Sequence, residues 1–155
     1  MANRYAVTGQ EDAVTSSLTT ALDIVGSATA RPEVDFFMGS AGAGTLADQS
    51  VRCTLMRHTT ANTLSGVTPQ PIDPNAPAAV TTAGENASGE GTYTAGSEII
   101  DQAVHLRSQI VWWASSEAAR LVVPATANNG LGFRVRQASG AYAGPFDYSA
   151  HFVGP

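Results

Sequence analysis

The sequence contains no lysine: all eight of its cations are arginine, and only 14% of its 155 residues are charged. An ordinary soluble domain keeps about a quarter of its residues charged. So neutral a surface has little self-repulsion and suits packing against copies or a partner; a GC-rich coding sequence contributes to the same bias. The single cysteine, Cys53, excludes an intrachain disulfide and any thiolate metal cluster built from one chain. Val51 and Leu55 flank it in an alternating pattern, so it reads as a buried structural thiol. No stretch approaches the ~18 apolar residues of a membrane span. Residues 1–10 lack the charged start and apolar run of a signal peptide. The chain is therefore expected to be made and used in soluble form, with no membrane partner. A net charge of −5 and a pI near 4.9 argue against nucleic acid as a partner, because binding there rests on clustered cations.

Helical periodicity is almost missing as well. The one helix expected is a short turn over 115–121, capped by Ser115 or Ser116. What is present is a series of short alternating runs separated by Gly, Pro, Asn and Ser, the pattern of an all-β sandwich or barrel. Strands are expected at 4–8 (a short edge), 19–26, 33–39, 49–59, 91–100, 104–113, 119–123, 131–137 and 146–153. Val34, Phe36 and Met38 share one parity of the 33–39 strand, and a flexible loop follows at 39–44. Leu131, Phe133 and Val135 point inward, as do Phe146, Tyr148, Ala150 and Phe152.

Four of the eight prolines fall at Pro69, Pro71, Pro74 and Pro77. Each lacks a ladder donor, so this stretch cannot be a central strand. The long segment 63–97 reads as an ordered, extended crossover that wraps the sandwich. The expected architecture is one domain over 1–155, a two-sheet jelly-roll-like sandwich of about eight strands, with 1–12 as a possible N-terminal arm.

No chemistry-bearing constellation stands out. There is no G-x-S-x-G elbow and no phosphate-cradling glycine loop with its lysine. His58, His105 and His151 are far apart and on outward parities, with no H-x-H of a metal-binding barrel, so they read as surface residues and no metal or cofactor is expected. The carboxylates Glu33 with Asp35, and Glu98 with Asp101, read as solvated strand faces. Trp112-Trp113 is the most informative local feature, since neighbours on a strand face opposite ways. Parity with Val104, Leu106 and Ile110 sends Trp112 inward. Trp113 then shares an outer face with His105 and Arg107, and these three are the interface candidates. Two other readings stand beside this one: Trp113 covered by the 115–121 segment, or Trp113 as a platform on which sugars stack.

Several segments taken in order resemble one family. They are Thr20-Ala21-Leu22-Asp23-Ile24-Val25-Gly26, Val51-Arg52-Cys53-Thr54-Leu55-Met56-Arg57-His58-Thr59-Thr60-Ala61, Val67-Thr68-Pro69-Gln70-Pro71-Ile72-Asp73-Pro74, Thr92-Tyr93-Thr94-Ala95-Gly96 and Leu131-Gly132-Phe133-Arg134-Val135. Together with the Trp-bearing strand they are similar to the jelly-roll capsid decoration, or cement, proteins of tailed bacteriophages. The resemblance implies a homotrimer bound to the outer surface of the major capsid protein, carried on the virion exterior after assembly in the host bacterial cytoplasm. It brings no catalytic residues. The alternatives are a receptor- or glycan-binding head of a tail fibre or spike, and a cupin-like metalloenzyme.

Overall fold

Alternation of apolar and small polar residues folds the chain almost entirely into strands. The structure, a computed structural model, describes residues 3–42, 48–139 and 141–155. Its strands are β1 (Asn3–Glu11), β2 (Thr19–Val25), β3 (Glu33–Ala41), β4 (Ser50–His58), β5 (Thr63–Val67), β6 (Gln70–Pro71), β7 (Thr82–Gly89), β8 (Tyr93–His105), β9 (Gln109–Trp113), β10 (Leu121–Val122), β11 (Gly130–Ser139) and β12 (Phe146–Gly154). They form two antiparallel sheets. Sheet I runs β10-β3-β12-β1-β6, with β9 also paired to β3. Sheet II runs β5-β7-β2-β11-β4-β8.

The eight principal strands are β1, β2, β3, β4, β8, β9, β11 and β12. Counted in that series, sheet I reads 1-8-3-6 and sheet II reads 2-7-4-5. This interleaving arises when an antiparallel ribbon is rolled around a core, and it defines a jelly roll. The additional strands β5, β6 and β7 belong to one insertion between β4 and β8. β7 and β5 extend sheet II beyond β2, and β6 caps β1 of sheet I.

The core lies between the sheets. Tyr5, Val34, Phe37, Phe146, Tyr148 and Phe152 from sheet I meet Leu22, Ile24, Val51, Cys53, Leu55, Leu131, Phe133 and Val135 from sheet II. Phe133 sits edge-on to Phe37, with centroids 5.3 Å apart, and tilted against Tyr148 at 5.7 Å. Such offset aromatic pairs add about 0.5–1.5 kcal/mol each beyond the area they bury.

Several expectations are corrected. The segment 63–97, expected as an extended crossover that ends in a strand at 91–100, does run into the start of β8, but it also contains β5, β6 and β7. Only residues 68–81 are the extended proline crossover, which passes from sheet II to the edge of sheet I and back. There Pro77 supplies a carbonyl, to which Tyr5 Oη donates at 3.1 Å, while the non-proline Ile72 supplies an N–H that donates to the Arg4 oxygen at 2.9 Å. Residues 3–11 are not a loose arm or a short edge but a nine-residue strand between β12 and β6; Met1 and Ala2 lie outside the described residues. The helix expected at 115–121 is one 3-10 turn, Glu117–Ala119, and the strand expected at 119–123 is only Leu121–Val122. Gly39 to Ala41 complete β3 rather than starting a loop, and residues 43–44 lie outside the described residues.

Two corrections bear on the functional surface. The strand expected at 104–113 is broken by a tight turn in which Ser108 N donates to the His105 oxygen at 2.8 Å. β8 therefore lies in sheet II and β9 in sheet I. In β3, the register against β12 slips between the Val34–Phe152 and Phe36–His151 pairs, leaving Asp35 as an extra residue. This bulge resets the parity. Val34 and Phe37 enter the core, while Phe36 and Met38 stay on the outer face.

Candidate functional site

The bulge at Asp35 and the edge strand β9 together build a recess on the outer face of sheet I. Phe36 is the register partner of Trp113 on one side and of His151 on the other, so the three rings form a row across three strands. Phe36 and His151 lie 5.1 Å apart at 43°. The adjacent doublets are matched across the pairing: Phe37 and Trp112 stack at 5.6 Å on the core side, and Phe36 and Trp113 oppose each other outside. Trp113 is 67% exposed, so the 115–121 segment does not cover it.

Polar groups ring this row. Ala114 N donates to the Asp35 oxygen at 2.8 Å, tying the chain after β9 to the bulge. Arg4 donates through Nε to Asp35 Oδ2 at 2.9 Å, and its Nη2 reaches the same oxygen. Arg120 comes back over the recess, 3.3 Å from both Glu33 Oε2 and Glu117 Oε1. Asp35, expected on a solvated face, is only 7% exposed, and its Oδ1 has no hydrogen-bond partner among the described residues. An unpaired buried acceptor costs about 1–3 kcal/mol and calls for an explanation. Arg4, Asp35, Phe36, Trp113, Arg120 and His151 line a cavity of about 330 Å³.

A second polar cluster lies on the outer face of sheet II. His58 was expected at the surface, yet it is buried. Its Nε2 faces Asp23 Oδ1 at 2.8 Å, and its Nδ1 faces the Thr60 carbonyl oxygen at 2.9 Å. Thr60 can only accept, so Nδ1–H donates to its carbonyl, and Nε2 is engaged by the Asp23 carboxyl. Asn62 Nδ2 donates to Asp23 Oδ2 at 2.7 Å and to Tyr93 Oη at 3.0 Å. The Arg134 guanidinium stacks on the Tyr93 ring at 3.9 Å and donates to the Leu18 oxygen and to Glu90 Oε2. Burial pushes the Tyr93 hydroxyl well up from its ordinary range, and the Asp23 charge adds to this. Gly132 makes room for that ring, because a Cβ there would collide with the Tyr93 hydroxyl.

The role of this cluster follows from where its members sit. His58, Thr60 and Asn62 begin the insertion, and Glu90 and Tyr93 end it, so the network clasps both ends to sheet II. His58 has no ring nitrogen free to take a proton from a substrate. The arrangement is a structural clasp.

No family model, no curated protein and no solved structure matches this chain.

Of the interface candidates, His105 and Arg107 stand together at the β8–β9 turn, 3.8 Å and 3.5 Å from Asp48 Oδ1. All three side chains are well exposed, where such pairs contribute little. Trp113 is separated from them by the length of β9 and lies on the other sheet, so the three do not share one strand face. They do share one side of the sandwich. Among the described residues, no three His, Cys, Asp or Glu side chains are grouped to hold a metal ion. The recess residues Arg4, Asp35, Phe36, Arg120 and His151 escaped sequence reasoning. The available signal was the doublet Phe36-Phe37, which like Trp112-Trp113 cannot place both rings in the core.

Proposed function

We propose that this chain is a non-enzymatic structural protein of a tailed-phage virion, a decoration subunit that binds the outer surface of the major capsid protein and stabilises the shell. On this reading it acts as a homotrimer on the capsid exterior, after assembly in the bacterial cytoplasm. The observation that carries the proposal is the open side of the jelly roll. The insertion covers the β1 and β2 side with β5, β6 and β7, whereas β8 and β9 each have a neighbour on one side only. These two free edges belong to opposite sheets and are joined by the tight 106–108 turn, so they lie on the same side. Unpaired backbone N–H and C=O groups along a 13-residue strand are a template for another chain. His105 and Arg107 stand at the end of that edge, and Val111 is exposed beside it. Low surface charge and the resemblance to cement proteins support the same reading.

The mechanism would be physical. Each subunit bridges neighbouring capsid subunits, and modest apolar contacts of roughly 25 cal/mol per Å² accumulate over the repeated sites of a shell. Purified protein is expected to bind expanded heads that lack it and to raise their resistance to heat or chelation. Failure to sediment with such heads would overturn the proposal.

A further inference from the structure

We infer that the recess beside Trp113 is a binding site for a neutral hexopyranose unit of a glycan. This site lies on the outer face of sheet I, apart from the β8 edge, and stands independently of capsid attachment.

A pyranose ring presents a flat patch of C–H groups on one face and hydroxyls around its rim. It therefore needs a flat apolar platform flanked by fixed donors and acceptors. Trp113 supplies the platform: its indole is held on an edge strand opposite Phe36 and remains 67% exposed. An exposed indole at the wall of a recess offers a flat apolar face on which a ligand can stack. The rim is equally fitted. Arg4 and Arg120 bring planar guanidinium donors whose carboxylate partners hold them in place, and Ser116 adds a hydroxyl at the wall. Asp35, which lines the recess, adds a buried acceptor with no partner among the described residues, Oδ1. The volume, about 330 Å³, is at the small end of the roughly 300–1,000 Å³ usual for ligand sites.

Charge excludes other occupants. Arg4 is already neutralised by Asp35, and Arg120 by Glu33 and Glu117, so a carboxylate or phosphate finds no free guanidinium pair. A quaternary ammonium is best held by several aromatic faces at once, and here Trp113 is the exposed one. A ligand with an apolar face and an uncharged polar rim satisfies both the indole and the orphaned acceptor.

The test uses the whole protein against methyl glycosides of glucose, galactose, mannose and N-acetylglucosamine, with choline and adenosine as comparison arms. Binding is read by saturation-transfer NMR and by tryptophan fluorescence. At least one glycoside should bind and shift the emission. Trp113→Ala should weaken that binding by about tenfold or more, corresponding to ~1.4 kcal/mol, while Trp113→Tyr should restore most of it. Position 113 is on the surface, so these variants should keep the fold, checked by circular dichroism. Absence of binding across the glycosides, binding of choline or adenosine alone, or binding unchanged in Trp113→Ala would each overturn the inference. Head binding by Trp113→Ala measures the other proposal separately.

Discussion

Cys53 sits in the middle of β4 with its side chain in the core, and its surroundings set its chemistry. Burial pushes the thiol up to about 11, and a hydrogen bond with Tyr148 offsets this only in part. A thiolate is the reactive form, so at mildly alkaline pH the native protein should react with a thiol reagent far more slowly than the urea-unfolded chain. Ellman titration checks this; rapid stoichiometric labelling without denaturant would contradict the buried placement. Asp35 shows the opposite case of a residue set by its neighbours. It is a carboxylate drawn into the sheet by one extra residue in β3 and held by Arg4. A buried charge of this kind is tolerated because a partner is fixed beside it.

Between neighbouring strands, β4 and β8 are tied by Arg52, which donates to both oxygens of Asp101 at 2.6 Å, while Thr54 Oγ1 donates to one of them at 3.1 Å. The Arg52 hydrogen bonds hold the Asp101 carboxyl below its ordinary value of 3.8. A carboxyl lowered in the folded state contributes stability that is complete above its unfolded value and is lost as pH falls through the lower folded one. The pair is partly exposed, so the effect is small. Urea midpoints measured from pH 5 downward should fall less steeply in Arg52→Ala than in the unchanged protein. Identical slopes would show that the pair does not anchor β8. The clasp of His58, Asn62, Glu90 and Tyr93 acts at the same scale, because it turns a 34-residue excursion between β4 and β8 into a closed loop on rigid strands.

For the whole molecule, the decisive asymmetry is that one side of the jelly roll is covered by the insertion and the other is open. A lysine placed on a free edge strand is a recognised obstacle to edge-to-edge association, and this chain has none anywhere. Ala103→Lys combined with Val111→Lys should therefore convert an assembled species to monomer by light scattering, with the circular dichroism of the fold retained. An unchanged mass would remove the β8–β9 side as the contact surface.

Alternation of small, apolar and polar residues was enough to read an all-β sandwich of about eight strands, and to place Cys53, Phe133 and the Phe146–Phe152 row in the core. Period-two patterning is a local property, so one chain reveals it. The sequence also marked Trp113, because two adjacent aromatics on a strand must face opposite ways. Three things were decided only in the tertiary structure. The bulge at Asp35 arises from the register of β3 against β12, and no local signal foretold that it would reverse Phe36 and Phe37. The turn at His105–Ser108 sent the two halves of an apparently continuous strand into different sheets. The burial of His58 required Asp23, Asn62 and Tyr93, which long-range pairing brings together. The recess around Trp113 has the same origin: its platform is local in sequence, while its polar rim comes from strands far apart in the chain.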